Sequence, residues 1–158
     1  VNQRTDRWGG EIDNRISFPV EIVQAIREKV GEKFIICFRL SQLDLVHAVH
    51  TMQEVVTVAN ALEKAGVTLL NTGIGWNEER VPTIVTSVPR AAIVDYTAHI
   101  KQYISIPVIA ANRINMPETA EEILATGKAD LIHMACPILA DAIWFNETAT
   151  NRVDEINT

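Results

Sequence analysis

The run Val67–Arg80 reads VTLLNTGIGWNEER. Its first half is short, apolar and partly β-branched, the pattern of a strand buried on both faces. It then breaks into Asn71-Thr72-Gly73 and Gly75-Trp76-Asn77, followed by three charged residues. Glycines there let backbone approach a ligand closely, and Trp76 offers a flat apolar wall with one N–H donor. The run reads as the lip of an active site.

Outward from it, three more strand-like runs appear: Phe34–Leu40 (FIICFRL), Ile106–Arg113 (IPVIAANR) and Asp130–Ala135 (DLIHMA). Helical segments separate them. Val1–Arg15 reads as an ordered loop whose Arg4, Asp6, Arg7, Asp13 and Arg15 can pair with one another. Phe18 to Val30 carries an apolar stripe at Phe18, Ile22, Val23, Ile26 and Val30, with Gly31 as a stop. Thr51–Ala65 opens on a capping box, Thr51 with Glu54, and ends at Gly66. Pro89 is placed to start a third helix with Ile93, Tyr96, Ile100 and Ile104 on one face, and Pro117 a short fourth closed by Gly127. A final helix runs through Trp144 and Phe145.

Strands begin near residues 34, 67, 106 and 129, alternating with helices. That order predicts an α/β fold with a parallel sheet covered by helices. A doubly wound sheet usually shows a Gly-rich first turn, and none of these strands leads into G-x-G-x-x-G. In a (β/α)8 barrel, every strand delivers polar residues at its carboxyl end. Here the ends carry Arg39; Asn71, Thr72 and Asn77; Asn112 and Arg113; His133 and Cys136. The barrel is the better match. A full barrel needs about 250 residues, so this chain is expected to form half of one.

The 158 residues are 47% hydrophobic and 22% charged, enough apolar material for one core. A net charge of −6, with no Lys/Arg run, argues against nucleic acid and anionic membrane as partners. No apolar run reaches the roughly 18 residues of a membrane helix, and residues 1–10 are too polar for a signal peptide. Cys37 and Cys136 lack metal-like spacing. Buried, reduced thiols and a cytoplasmic location are the expectation, with no metal site.

Five motifs then occur in order: NQRTDRWGG…NR at Asn2–Arg15, RLS at Arg39–Ser41, NTGIGW at Asn71–Trp76, NRINMPE at Asn112–Glu118 and LAD at Leu139–Asp141. Together the chain resembles the flavin barrel of bacterial 2,4-dienoyl-CoA reductases, within the Old Yellow Enzyme superfamily. The resemblance covers essentially all of residues 1–158 and implies strands five to eight of an FMN-binding TIM barrel, a fragment of a longer chain. It implies NADPH as electron source and a conjugated enoyl- or dienoyl-CoA thioester as substrate, in fatty acid β-oxidation. FAD and a 4Fe–4S cluster are expected only in a full-length parent.

By the same resemblance, Arg39 faces the FMN pyrimidine edge, where a guanidinium stabilises charge that builds up on reduction; read alone, it is equally a structural ion-pair residue. Arg113 falls near the FMN phosphate, and Asn112 shapes its turn. Ala135, Cys136 and Pro137 correspond to a phosphate turn whose free N–H groups suit an anion. The family has Arg where Cys136 stands, so one charged hydrogen bond of about 1.5–3 kcal/mol is lost. Gly75, Trp76 and Glu78 would line the substrate.

The family's histidine is Asn77 here. Asparagine donates hydrogen bonds but holds no proton that titrates near neutral pH, so general acid catalysis should be weak. His47, His50 and His99 read as surface residues. His133 lies in the last strand, near the flavin by analogy, and is equally readable as a satisfied core histidine. The alternatives are a related ene-reductase or amine dehydrogenase, or a non-catalytic half-barrel that oligomerises through open strand edges or awaits a first half-barrel.

Overall fold

Four parallel strands, in the order β1-β2-β3-β4, form the sheet of the computed structural model, which describes residues 2–43, 50–74 and 85–157. The elements are α1 (Ile12–Val30), β1 (Cys37–Ser41), α2 (Met52–Ala65), β2 (Leu69–Gly73), α3 (Val94–Lys101), β3 (Val108–Ala110), α4 (Pro117–Ala125), β4 (Leu131–Ile132), α5 (Cys136–Ala140) and α6 (Trp144–Ala149). A short 3₁₀ turn, Val153–Glu155, follows. Spatial order equals chain order, so these strands contain no switch point of the doubly wound kind. Winding in one direction is how a barrel wall grows, and the α/β barrel-type fold read from the sequence is the one observed.

Register explains the polar lip. Arg39 lies beside Asn71, Asn71 beside Ile109, and Ile109 beside Leu131. Side chains alternate across a strand, so Cys37, Arg39, Asn71, Ile109 and Leu131 share one face. Leu70, Thr72, Val108 and Ala110 face the other way and are buried under helices. Within residues 67–70, Val67 and Leu70 are buried and Thr68 and Leu69 half-buried. Along the sheet as a whole, one face is core, and the other carries the exposed Cys37, Arg39 and Leu131.

Local signals placed several helix ends. Thr51 Oγ1 accepts the Glu54 N–H at 3.2 Å while the Glu54 carboxylate accepts the Thr51 N–H at 2.7 Å, a complete capping box. Gly31, Gly66 and Gly127 adopt the positive φ of helix exits, and Pro117 occupies the first turn of α4. Val23 of α1 packs with Val55, Leu62 and Leu70. Val94, Ala110 and Ile123 belong to a second cluster around α4.

Other expectations need correction. α1 begins at Ile12 and accepts Pro19 internally, so residues 12–15 belong to a helix, not to a loop. The loop pairs only in part: Arg4 binds Asp6, whereas Arg7 reaches Glu21 and Arg15 reaches Glu54. α3 begins at Val94, after turns over residues 90–93, and not at Pro89. The last helix is two, because the chain breaks at Asp141, whose backbone is extended. Phe34 and Ile35 precede β1 and are 60% and 69% exposed. Both thiols are exposed as well. Cys37 lies on the open sheet face and Cys136 at the start of α5, so neither enters the core.

Candidate functional site

The carboxyl ends of β1, β2, β3 and β4 converge on a cleft of about 180 Å³ whose walls include Arg39, Ile74, Asn112, Arg113, His133, Ala135, Cys136 and Pro137. Every expected cofactor contact among the described residues lines it. Gly75, Trp76, Asn77 and Glu78, the expected substrate wall, lie outside the described residues, as does His47.

Gly73 makes room for two side chains of the cleft wall. A Cβ there would sit 3.1 Å from Asn112 Oδ1 and 3.5 Å from Arg39 Nη2. The glycine of NTG thus admits two neighbouring side chains, not only a ligand. Arg39 has no ion pair or hydrogen bond among the described residues, so its reading as a structural ion-pair residue finds no partner there. An exposed, unpaired guanidinium on a cleft wall is available to a ligand anion or carbonyl.

Arg113 is held differently. Asn112 and Arg113 both take left-handed backbone, φ 69° and 55°. Asparagine tolerates this and arginine does so at a cost of about 1–3 kcal/mol. Three bonds enforce the turn. The Ile74 N–H donates to Asn112 Oδ1 at 3.3 Å, the Ala91 N–H to the Arg113 carbonyl at 2.9 Å, and Arg113 Nε to the Val88 carbonyl at 3.0 Å. With Nε committed, the two terminal nitrogens of the fork have no partner among the described residues and suit an anion. Nothing in the sequence signalled Val88 or Ala91, which approach from a separate segment.

The turn before α5 supplies less than expected. Pro137 has no N–H, and the Ile138 and Leu139 N–H groups both donate to the Ala135 carbonyl at 3.1 Å. Only the Ala135 and Cys136 N–H groups remain without an acceptor among the described residues, so Arg113 is the principal cation there.

Sequence reasoning also missed a pair. Asn71 Nδ2 and His133 Nδ1 lie 3.1 Å apart. His133 follows β4 directly and is neither a strand residue nor a fully buried one. His99 rests against Tyr103, rings 5.1 Å apart, away from the cleft.

Around the site, charges are fixed by their neighbours. Burial would push the Asp130 carboxyl up, yet Lys101 Nζ at 2.8 Å and the Val108 N–H at 2.9 Å hold it below the usual range and tie β3 to β4. Asp141 is held down by the Asn157 N–H at 3.0 Å, against the opposing effect of burial. Glu147, buried and beside Asp141, is pushed up by burial and then by that second carboxylate.

Two guanidinium groups and a histidine around an open cleft suit an anionic, heteroaromatic cofactor such as FMN. The donor set fits the group: Arg113 would serve a phosphate and Arg39 a polar ring edge. At about 180 Å³ the cleft is smaller than the roughly 300–1,000 Å³ of complete ligand pockets, so it forms one wall of such a site.

Comparison with known proteins agrees. Residues 1–155 match the model of the NADH:flavin oxidoreductase / NADH oxidase family. A metal reductase of Desulforamulus reducens is 43% identical over 156 residues, 99% of this chain and 23% of that protein. An NADH oxidase of Thermoanaerobacter brockii is 36% identical over 158 residues, 99% of this chain and 24% of that protein. The structure of a 2-naphthoyl-CoA reductase in complex with 2-naphthoyl-CoA superposes with a TM-score of 0.93 at 31% identity, covering 99% of this chain and 24% of that one. The chain spans about a quarter of the length of these relatives. With its parallel barrel-type sheet and basic cleft at the strand ends, the chain belongs to the NADH:flavin oxidoreductase / NADH oxidase family of FMN-dependent oxidoreductases, within the Old Yellow Enzyme superfamily.

Proposed function

We propose that this chain is the second half of an FMN-binding reductase barrel of the 2,4-dienoyl-CoA reductase type, acting on a conjugated enoyl or dienoyl thioester with NADPH as electron source. The observation that carries the reading is the convergence of Arg39, Asn112, Arg113 and His133 on one cleft. Hydride transfer is the chemistry FMN supplies when bound. The chain's own residues bind and orient. Arg39 neutralises charge at the ring edge, Arg113 and the Ala135–Pro137 turn hold the phosphate, and Cys136 contributes no charge where the family has arginine. Gly75, Trp76 and Glu78 wall the substrate. Asn77 orients the thioester carbonyl through its amide N–H groups and leaves protonation weak. The thioester bound by the 2-naphthoyl-CoA reductase supports a CoA-linked substrate. A related ene-reductase or amine dehydrogenase accommodates the same cleft, and FAD and iron–sulfur partners would belong to the remainder of a parent protein in the cytoplasm.

The test is direct. The chain is purified with excess FMN and desalted; retained yellow flavin is expected, and a colourless protein overturns independent cofactor binding. Joined to a first half-barrel, it should oxidise NADPH with a 2,4-dienoyl-CoA in preference to simple activated alkenes or amines. The reverse preference would move the assignment to the ene-reductase or amine dehydrogenase alternatives.

A second reading, a half-barrel that self-associates or pairs with a first half, is favoured by α1. Its Phe18, Ile22, Ile26 and Val30 recur on one face and are 51%, 42%, 41% and 38% exposed, although the sequence marks them as core. Only Val23 of the expected stripe is buried. A monomer at micromolar concentration by analytical ultracentrifugation would refute self-association.

A further inference from the structure

We infer that Asn71 and His133 form a recognition pair on the open face of the sheet. In it, Asn71 holds His133 in the Nε2–H tautomer so that the imidazole donates a hydrogen bond to a polar ring edge of bound FMN beside Arg39. The inference rests on the FMN reading of the cleft and adds a contact to it.

Geometry points to the tautomer. Asn71 Nδ2 and His133 Nδ1 are 3.1 Å apart, and an amide nitrogen only donates. Nδ1 is therefore the acceptor, and the ring proton sits on Nε2. Turning the amide over would let its oxygen accept from Nδ1–H but would leave both Nδ2 hydrogens without acceptors. The observed orientation leaves the buried Asn71 Oδ1 and one Nδ2 hydrogen without partners among the described residues. Each orientation strands two amide groups, so it is the observed placement of Nδ2 against Nδ1 that carries the Nε2–H assignment.

Placement supplies the rest. Asn71 is the register partner of Arg39, one strand over, and His133 lines the same cleft as Arg39 and Arg113. His133 Nε2 has no acceptor among the described residues. The other titratable groups on the cleft wall are Arg39, Arg113 and Cys136. Among these the imidazole adds a directed donor at Nε2. Asn71 is then a positioning residue acting through His133.

Two measurements test it. Nitrogen-15 NMR of the imidazole, on the FMN-free chain, should show Nδ1 unprotonated and Nε2 protonated. Asn71→Leu should give a mixture of tautomers, and Asn71→Asp should invert them. FMN titration by fluorescence quenching should show about three- to tenfold weaker binding for His133→Leu, the worth of one hydrogen bond. His133→Gln, which keeps a donor, should stay within about twofold of the parent. Urea unfolding of each variant separates a folding defect from a binding one. An Nδ1–H tautomer in the parent overturns the pair. FMN retained with equal affinity by His133→Leu overturns this inference alone. A chain that takes up no FMN overturns the cofactor reading and this inference with it.

Discussion

Replacing Gly73 with alanine probes how closely the two arginine-bearing strand ends depend on one missing Cβ. The added carbon would lie 3.1 Å from Asn112 Oδ1, tighter than ordinary contact, and 3.5 Å and 3.7 Å from Arg39 Nη2 and Nε, which is ordinary contact. Arg39 can stay, but Asn112 must move by a few tenths of an ångström. Its oxygen already accepts the Ile74 N–H at a long 3.3 Å, so the shift sacrifices that bond, at about 0.5–1.5 kcal/mol. Gly73 is not among the residues with positive φ, so alanine fits its backbone. It should return about 0.4–1 kcal/mol by restricting the unfolded chain. Overall stability should then change by less than about 1 kcal/mol. FMN affinity should not be spared, because Asn112 and Arg113 share one left-handed turn. Loss of the bond that sets the turn should weaken FMN binding by about two- to thirteenfold. Fluorescence titration measures the affinity and urea unfolding the stability. Asn112→Ala combined with Gly73→Ala removes the clash, so the double variant should bind no more weakly than Asn112→Ala alone, a non-additivity expected of contacting residues. Unchanged affinity in Gly73→Ala, or strict additivity in the cycle, would refute the reasoning.

Thr97→Val tests the buried polar cluster beneath β2. Thr97 Oγ1 donates to Gln42 Oε1 at 3.1 Å and lies 2.8 Å from Thr72 Oγ1. Stranding the Gln42 acceptor should cost about 1–3 kcal/mol in urea unfolding; a change below about 0.5 kcal/mol would dissolve the network as a stabilising unit. Glu147→Gln tests the paired carboxyls. The Glu147 carboxyl is pushed above the ordinary range by burial and by Asp141, so its ionisation opposes folding. That penalty is absent below the unfolded value of about 4.3 and grows as pH rises through the folded one. The stability of Glu147→Gln relative to the parent should therefore increase with pH from about 4 upward, and a pH-independent difference would contradict the pairing. Finally, Asn77→His, in a chain joined to a first half-barrel, should raise dienoyl thioester turnover by about 10²-fold if a general acid is what this position lacks. No gain removes Asn77 as the cause of weak activity.

Signals confined to a few residues were legible in advance. The Thr51–Glu54 capping box, the glycine exits at Gly31, Gly66 and Gly127, and the Pro117 start depend on backbone geometry within one turn, which composition dictates. The polar residues at each strand end were legible too, because strand period and chain order place them at one rim. Signals that depend on what lies opposite were not. The stripe of α1 has the period of a core face, but period says nothing about whether a neighbour covers it, and Phe18, Ile22, Ile26 and Val30 remain half-exposed. The same holds for Cys37, which follows an apolar run onto the open sheet face.

By itself, then, the sequence determined the strand and helix alternation, the barrel-type order, the family and the polar residues at the strand ends, since these follow from periodicity, turn chemistry and motifs. Tertiary structure decided which of those residues are engaged and which are available. Arg113 spends Nε on Val88 while Arg39 spends nothing among the described residues, Gly73 makes room for Asn112, and Asn71 meets His133 across 62 residues of chain. Each of these depends on distances between segments remote in sequence, which local preference does not encode. NTG in VTLLNTGIGWNEER is therefore both the end of a strand and the seat on which the neighbouring strands set their polar side chains.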